Sequence, residues 1–157
     1  MEDSVRAYEI WNPAALDSPG IVNLFARAFA DPKFGIDADD VREYLKESLG
    51  AKDTTDKVFV VSSVEHGYCG LSIVTLGVYP LAPLPWITHF VAEQRSAREP
   101  LVEVTLKSIA GAGFKRLALH NATGASDEAH QRLFRRHMKG AVKGSLIVYD
   151  LEKNYGG

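Results

Sequence analysis

The stretch from Trp86 to Asn121 constrains the fold more than any other. "WITHFVA" (Trp86 to Ala92) is β-branched and aromatic, "LVEVTLKSIAGAGF" repeats apolar residues at helical spacing, and "KRLALHN" is again a compact apolar run. A connection of about a dozen residues or more, usually a helix, is what parallel neighbouring strands require. Upstream, "KVFVVSSV" (Lys57 to Val64) and "YCGLSIVTLGV" (Tyr68 to Val78) are separated only by "EHG", which allows nothing but an antiparallel hairpin. A sheet holding both units must be mixed.

The remaining elements follow from period and punctuation. "VRAYEIW" alternates as a first strand, with Val5, Ala7, Glu9 and Trp11 on one side. In "SPGIVNLFARAFADP", Ile21, Leu24, Phe25, Ala28 and Phe29 fall on one helical face, with Ser18 as N-cap, Pro19 in the first position and "DP" as the stop. Asp37 or Asp39 caps a second helix whose Val41, Tyr44, Leu45 and Leu49 share a face, ended by Gly50. The three prolines of "YPLAPLP" exclude a central strand there and predict an extended connection. The helix after "EQRSAREP" ends at Gly111 or Gly113. "SDEAHQRLFRRHM" predicts a fourth helix with Ser126 as N-cap, and "GSLIVYDLE" a final strand. The order is β-α-α-β-β-β-α-β-α-β. The fold class is therefore α/β (α+β), with a mixed, mostly antiparallel sheet of about six or seven strands flanked by about four helices.

Composition bounds the function classes. A chain of 157 residues, 46% hydrophobic and 24% charged, fits one domain spanning residues 1–157. The formal net charge of -2 gives no overall basic excess, so nucleic acid is not an expected partner. No apolar run is long enough to span a bilayer, and "MEDSVR" is not followed by an apolar signal core, so a cytoplasmic protein with no membrane partner is expected. Cys69 stands alone in an apolar run and reads as core. The five histidines are scattered, so no metal site is expected. "GYCG" and "GAG" lack the strand-turn-helix context of a nucleotide fingerprint.

The element order, with "FVAEQRSAREP" joining a fourth strand to a helix and "GFKRLALHN" following, resembles the GNAT superfamily of acyl-CoA-dependent N-acyltransferases. The resemblance covers nearly the whole chain as an order of elements. It implies a bulge that splays the fourth and fifth strands, acetyl-CoA lying in the gap beside Val91, and a pyrophosphate wrapped by the backbone that opens the third helix. Helix starts suit that task because they carry orphan N–H groups and the positive end of the dipole. The family's turn has Gln or Arg, two residues, Gly, any residue, then Gly or Ala. Laid from Gln94 it meets Ala97 and Glu99; laid from Arg95 it meets Arg98 and Pro100. Neither register holds a glycine. The implied cofactor contacts are then Arg95, Ser96, Ala97 and Arg98, with the guanidinium groups in place of missing backbone donors. The family's Asn at the start of the fourth helix corresponds to Ser126, and its proton-donating Tyr to Leu133 or Phe134, neither of which carries a hydroxyl. Asn121 offers a polar contact after the fifth strand.

Amine acyl transfer also needs a proton acceptor. His89 and Glu93 are the catalytic candidates, sharing the facing parity of Ile87 and Val91 if no bulge intervenes. His120, and Glu65 with His66, are weaker options. Arg132, Arg135, Arg136 and Lys139 form a basic stripe, extended by Lys143, that reads as a solvated face, a site for the cofactor's 3′-phosphate or a contact for an acidic partner. The acceptor is expected to be an amine-bearing small molecule or protein, held by "ADPKFGIDADD" and the proline-rich connection. The competing reading is a GNAT-like fold that has lost its cofactor and serves as a binding or structural protein, such as a phage virion-associated one. In either case a homodimer or larger protein assembly is a further association to test.

Overall fold

A computed structural model of the chain describes residues 4–49, 56–79, 82–119 and 132–134. Its five described strands stand in the order of the chain: β1 (Val5–Ile10), β2 (Lys57–Ser63), β3 (Gly67–Tyr79), β4 (Ala82–Ala92) and β5 (Ala118–Leu119). The first four pair antiparallel, and β5 pairs parallel to β4. The mixed sheet predicted from the two connection lengths is present. The predicted fourth helix is seen at Arg132 to Phe134, which are helical, and the predicted final strand lies outside the described residues.

Helices cover both faces of the sheet. On one face lie α1 (Pro19–Phe29) and α2 (Ala38–Tyr44), which continues as a wider π turn at Leu45–Leu49. Ile21, Leu24, Phe25 and Leu45 pack there against Val58, Val60, Leu71 and Ile73. On the other face lies α3 (Arg95–Gly111), whose Ala97, Leu101, Val102, Thr105 and Ile109 are buried at helical spacing. With Phe59, Val61, Phe90 and Phe134 most of these form the second cluster, and each large side chain so buried contributes about 1.5–3 kcal/mol.

Local chemistry fixes the helix ends. Ser18 and Pro19 begin α1 as predicted. Asp37 begins α2 with a reciprocal box: its carboxylate accepts from the N–H groups of Asp39 and Asp40, and Asp40 accepts from the N–H of Asp37. Between the helices the chain closes on itself, Asp31 and Ile36 exchanging backbone bonds of 2.8 and 3.0 Å around a left-handed Gly35.

Two sequence expectations need correction. Most of the proline-rich segment is strand, because β3 reaches Tyr79 and β4 begins at Ala82, with Val78 opposite Pro83 and Leu76 opposite Pro85. Pro83 and Pro85 sit two residues apart, so both missing donors fall on the same edge of β4 and leave alternate positions able to pair. The segment "RSAREP" is also not a loop: α3 starts at Arg95, which puts Pro100 inside the helix and not in its first position. No described helix is long and apolar enough to cross a membrane.

Candidate active site

Strand β4 determines what the site can contain. Ile73 of β3 faces His89 and the next residue, Val74, faces Ile87, so Thr88 is an extra residue in β4. Side chains alternate along a strand, and one inserted residue therefore reverses their faces. Ile87 points to the α3 side and joins that cluster, while Ile73 and Val91 belong to the α1–α2 side. The parity that would group His89 with Ile87 does not hold, because the bulge intervenes. Among the described residues, β5 pairs with β4 only at Trp86 and Ile87, before the bulge.

His89 is turned by this bulge into a set of rings. Its imidazole lies 4.7 Å from Phe29, edge-on at 86°, 5.2 Å from Phe25 and 5.7 Å from Tyr44, centroid to centroid. Phe25 and Phe29 sit one turn apart on α1, and Tyr44 stacks on Phe25 from α2. Burial pushes the Tyr44 hydroxyl above its ordinary pKa, and the charge of Asp56 adds to this, so the phenol holds its proton at neutral pH. Nδ1 of His89 lies 2.9 Å from the hydroxyl of Thr88, which in turn donates to the carbonyl of Ile73 at 3.3 Å.

Glu93 follows on the same side at the end of β4. Both its oxygens accept from Arg27 of α1, at 2.7 and 3.1 Å. Its backbone N–H donates to the carbonyl of Cys69, the extra residue of a second bulge, where Val61 faces Gly70 and Ser62 faces Tyr68. Cys69 is buried, with its thiol 3.7 Å from the carbonyl oxygen of Val61, consistent with the core role expected of it.

At the start of α3, Arg95, Ser96 and Arg98 are exposed, whereas Ala97 is fully buried. Ala97 packs toward Gly70 of β3, so the small residue of the Gln94 register fits helix to sheet and does not face outward. Helix geometry leaves the N–H groups of Arg95 and Ser96 without an intrahelical acceptor, while that of Ala97 turns back to Gln94 at 3.0 Å. Two exposed guanidinium groups, one hydroxyl and these donors suit a phosphate, so the residues present fit the pyrophosphate of an acyl-CoA. Phe134 packs edge-on against Phe90 at 5.1 Å, on the α3 side and away from His89. Asn121 and Ser126, and His120 with the rest of the basic stripe beyond Arg132, lie outside the described residues.

The structure thus brings His89, Val91 and Glu93 to one side of β4, with Arg95, Ser96 and Arg98 immediately beyond its end. Sequence reasoning missed Thr88, the ring set and the Arg27 fork. The phenylalanines were legible as one helical face, but nothing in the sequence says which strand residue they enclose. Among the described residues no group of His, Cys, Asp and Glu is placed to hold a metal ion. A separate groove of about 560 Å³ lies at the opposite end of α3, between Trp11, Lys57, Lys107 and Ser108.

No family model matches the sequence, and no curated protein matches it either. Solved structures do. A ribosomal-protein-alanine N-acetyltransferase from Brucella melitensis biovar Abortus 2308 superposes with a TM-score of 0.63 at 13% identity, over 94% of this chain and 99% of that one. An aminoglycoside acetyltransferase from an uncultured soil metagenomic sample, in complex with sisomicin, gives 0.66 at 15% identity, over 93% and 95%. A GCN5-related N-acetyltransferase from Ralstonia eutropha JMP134 gives 0.61 at 12% identity, over 92% and 99%. With its mixed sheet, its bulged fourth strand and its glycine-free start to the following helix, the chain has a divergent form of the GNAT acetyltransferase fold.

Proposed function

We propose that this protein is an acetyl-CoA-dependent N-acyltransferase in which His89 accepts the proton of an amine acceptor. The observation that carries this reading is the bulge at Thr88, which turns His89 to the α1–α2 side just before a helix start able to hold phosphate. Acetyl-CoA supplies the acetyl group as a thioester: the acceptor nitrogen forms the new C–N bond as the C–S bond breaks, and sulfur takes the electron pair. Arg95, Ser96 and Arg98 bind the pyrophosphate, and Val91 borders the arm that leads from it. Ala97 supports that turn from beneath through its contact with Gly70. Phe134 and Phe90 give the α3 side an apolar wall. Asn121 and Ser126 are assigned to the cofactor as polar contacts by the family pattern.

His89 takes the amine proton on a ring nitrogen. Glu93 has lone pairs beyond those engaged by Arg27, and these suit an ammonium acceptor at the mouth of the site. The acceptor is an amine on a small molecule or a protein, a range supported by an aminoglycoside acetyltransferase and a ribosomal-protein-alanine N-acetyltransferase among the similar structures. The compact turn at Asp31 to Ile36 is the acceptor-side element.

Calorimetry with acetyl-CoA and with CoA tests the reading. Saturable binding is expected, weakened about five- to tenfold by Arg95→Ala or Arg98→Ala. Acetyl transfer to a panel of small amines and amine-terminal peptides is expected to fall by about 10²–10⁴-fold in His89→Gln. Absence of both binding heat and thermal shift at about millimolar ligand, well above the usual KM range, overturns the enzyme reading. It would leave the competing one, a GNAT-fold binding or structural protein.

A further inference from the structure

The far end of α3 carries features that acyl transfer leaves unused. The groove of about 560 Å³ beside Trp11 adjoins a smaller cavity of about 80 Å³, and Lys57, Ser108 and Ala112 line both. Strand register explains the arrangement. Glu9 of β1 lies opposite Phe59 of β2, Lys57 of β2 opposite Val74 of β3, and Leu76 of β3 opposite Pro85 of β4. A diagonal across four strands therefore runs from an indole at the sheet edge, past an ammonium group, to an apolar end. Lys57 is only partly exposed, yet among the described residues neither it nor Lys107 belongs to an ion pair. A cation held partly out of water gains more from an anion than one in bulk solvent does. Trp11 is 80% exposed and Leu76 40%, so large apolar side chains flank that cation on both sides. Glu9 lines the groove only on the Trp11 side, which directs a negative group toward Lys57, Lys107 and Ser108.

We infer that this end of α3 is a second ligand site, and that it takes a monocarboxylate with a short apolar body. The carboxylate accepts hydrogen bonds from Lys57, Lys107 and the Ser108 hydroxyl, and the apolar body enters the smaller cavity among Val74, Leu76 and Phe114. The indole of Trp11 borders the entrance. Because α3 is 17 residues long, its two ends stand about 25 Å apart, so this ligand and an anion at Arg95 do not meet. The inference therefore does not depend on the acyltransferase reading.

Nitrogen-15 NMR of the full chain, titrated with hexanoate, acetate and the neutral hexanamide, tests this. Hexanoate is expected to give saturable shifts at the Trp11 indole and at the amides of Ser108 and Ala112, with Arg95 and Ser96 unmoved. Acetate lacks most of the apolar body and hexanamide lacks the charge, so each is expected to bind about tenfold or more weakly. Lys57→Gln is expected to weaken hexanoate by a similar factor. Gly111 lines the groove, and a Cβ placed on it would meet open space. Gly111→Leu is therefore expected to obstruct the groove and weaken hexanoate by about tenfold without loss of thermal stability, since leucine favours a helix over glycine. Hexanamide that binds as tightly as hexanoate overturns the inference, and that comparison needs no variant. Displacement of hexanoate by acetyl-CoA overturns it too, as does undiminished binding in both variants. Unmoved signals at Trp11, Ser108 and Ala112 at about 10 mM hexanoate, well above a millimolar Kd, have the same consequence.

Discussion

Arg27 and Glu93, 66 residues apart in the chain, meet in a two-point fork that ties α1 to the end of β4. The guanidinium side chain is 55% exposed and the carboxylate 33%, so water and salt screen the pair. Arg27→Ala is expected to lower stability by no more than about 1 kcal/mol. Thermal melts at low and high ionic strength check this, since the gap to the wild type should narrow with salt. For acetyl transfer, the expected change is a raised KM for the amine, because Glu93 loses the group that orients it.

Gly70 of β3 lies beneath Ala97 of α3. A Cβ placed on it would lie 3.2 Å from Cβ of Val61 and 3.5 Å from Cβ of Ala97, both neighbours being fully buried. Gly70→Val is expected to destabilise the protein by about 1–3 kcal/mol through overpacking. Urea unfolding should show the midpoint falling with the slope unchanged. A variant as stable as the wild type would mean that α3 can lift from the sheet at no cost.

The Asp37 cap makes the stability of α2 depend on pH. Hydrogen bonds from the backbone N–H groups, that of Asp40 foremost, hold its carboxyl below the usual aspartate value. A depressed native pKa means that the contribution is full above the unfolded-state value and fades as pH falls through the lowered native one. The difference in thermal midpoint between wild type and Asp37→Ala should therefore be constant from neutral pH to about 5 and shrink below about pH 4. A difference that persists unchanged at about pH 2 would contradict the cap assignment.

How far the sequence reached depended on whether a signal was local. Ser18 with Pro19, the Asp37 cap, the three-residue hairpin at Glu65 and the α3 stop at Gly113 all rest on neighbouring residues, and all appear in the structure. The parity of His89 depended on register against Ile73, which no short-range pattern encodes. Thr88 looks like any other β-branched strand residue until its partner strand is known. The sequence reading places this helix after "EQRSAREP", whereas in the structure α3 already starts at Arg95, with Ala97 buried against Gly70. The prolines at 83 and 85 argued against a strand but are accommodated on alternate positions of β4.

The proline inside α3 has a consequence for timescale. Pro100 has no N–H to give the carbonyl of Ser96, and its ring crowds that same oxygen, so the ladder between the first turn and the rest of α3 lacks a rung. Amide exchange is expected to divide there, with the N–H groups of Arg98 and Glu99 exchanging by local opening and those of Thr105 and Ile109 only in larger unfolding events. The turn that carries Arg95 and Arg98 can then loosen and close around an anion while the packed body of the helix stays in place. Slower exchange at Arg98 and Glu99 on adding acetyl-CoA, with Ile109 unaffected, would make that hinge directly visible.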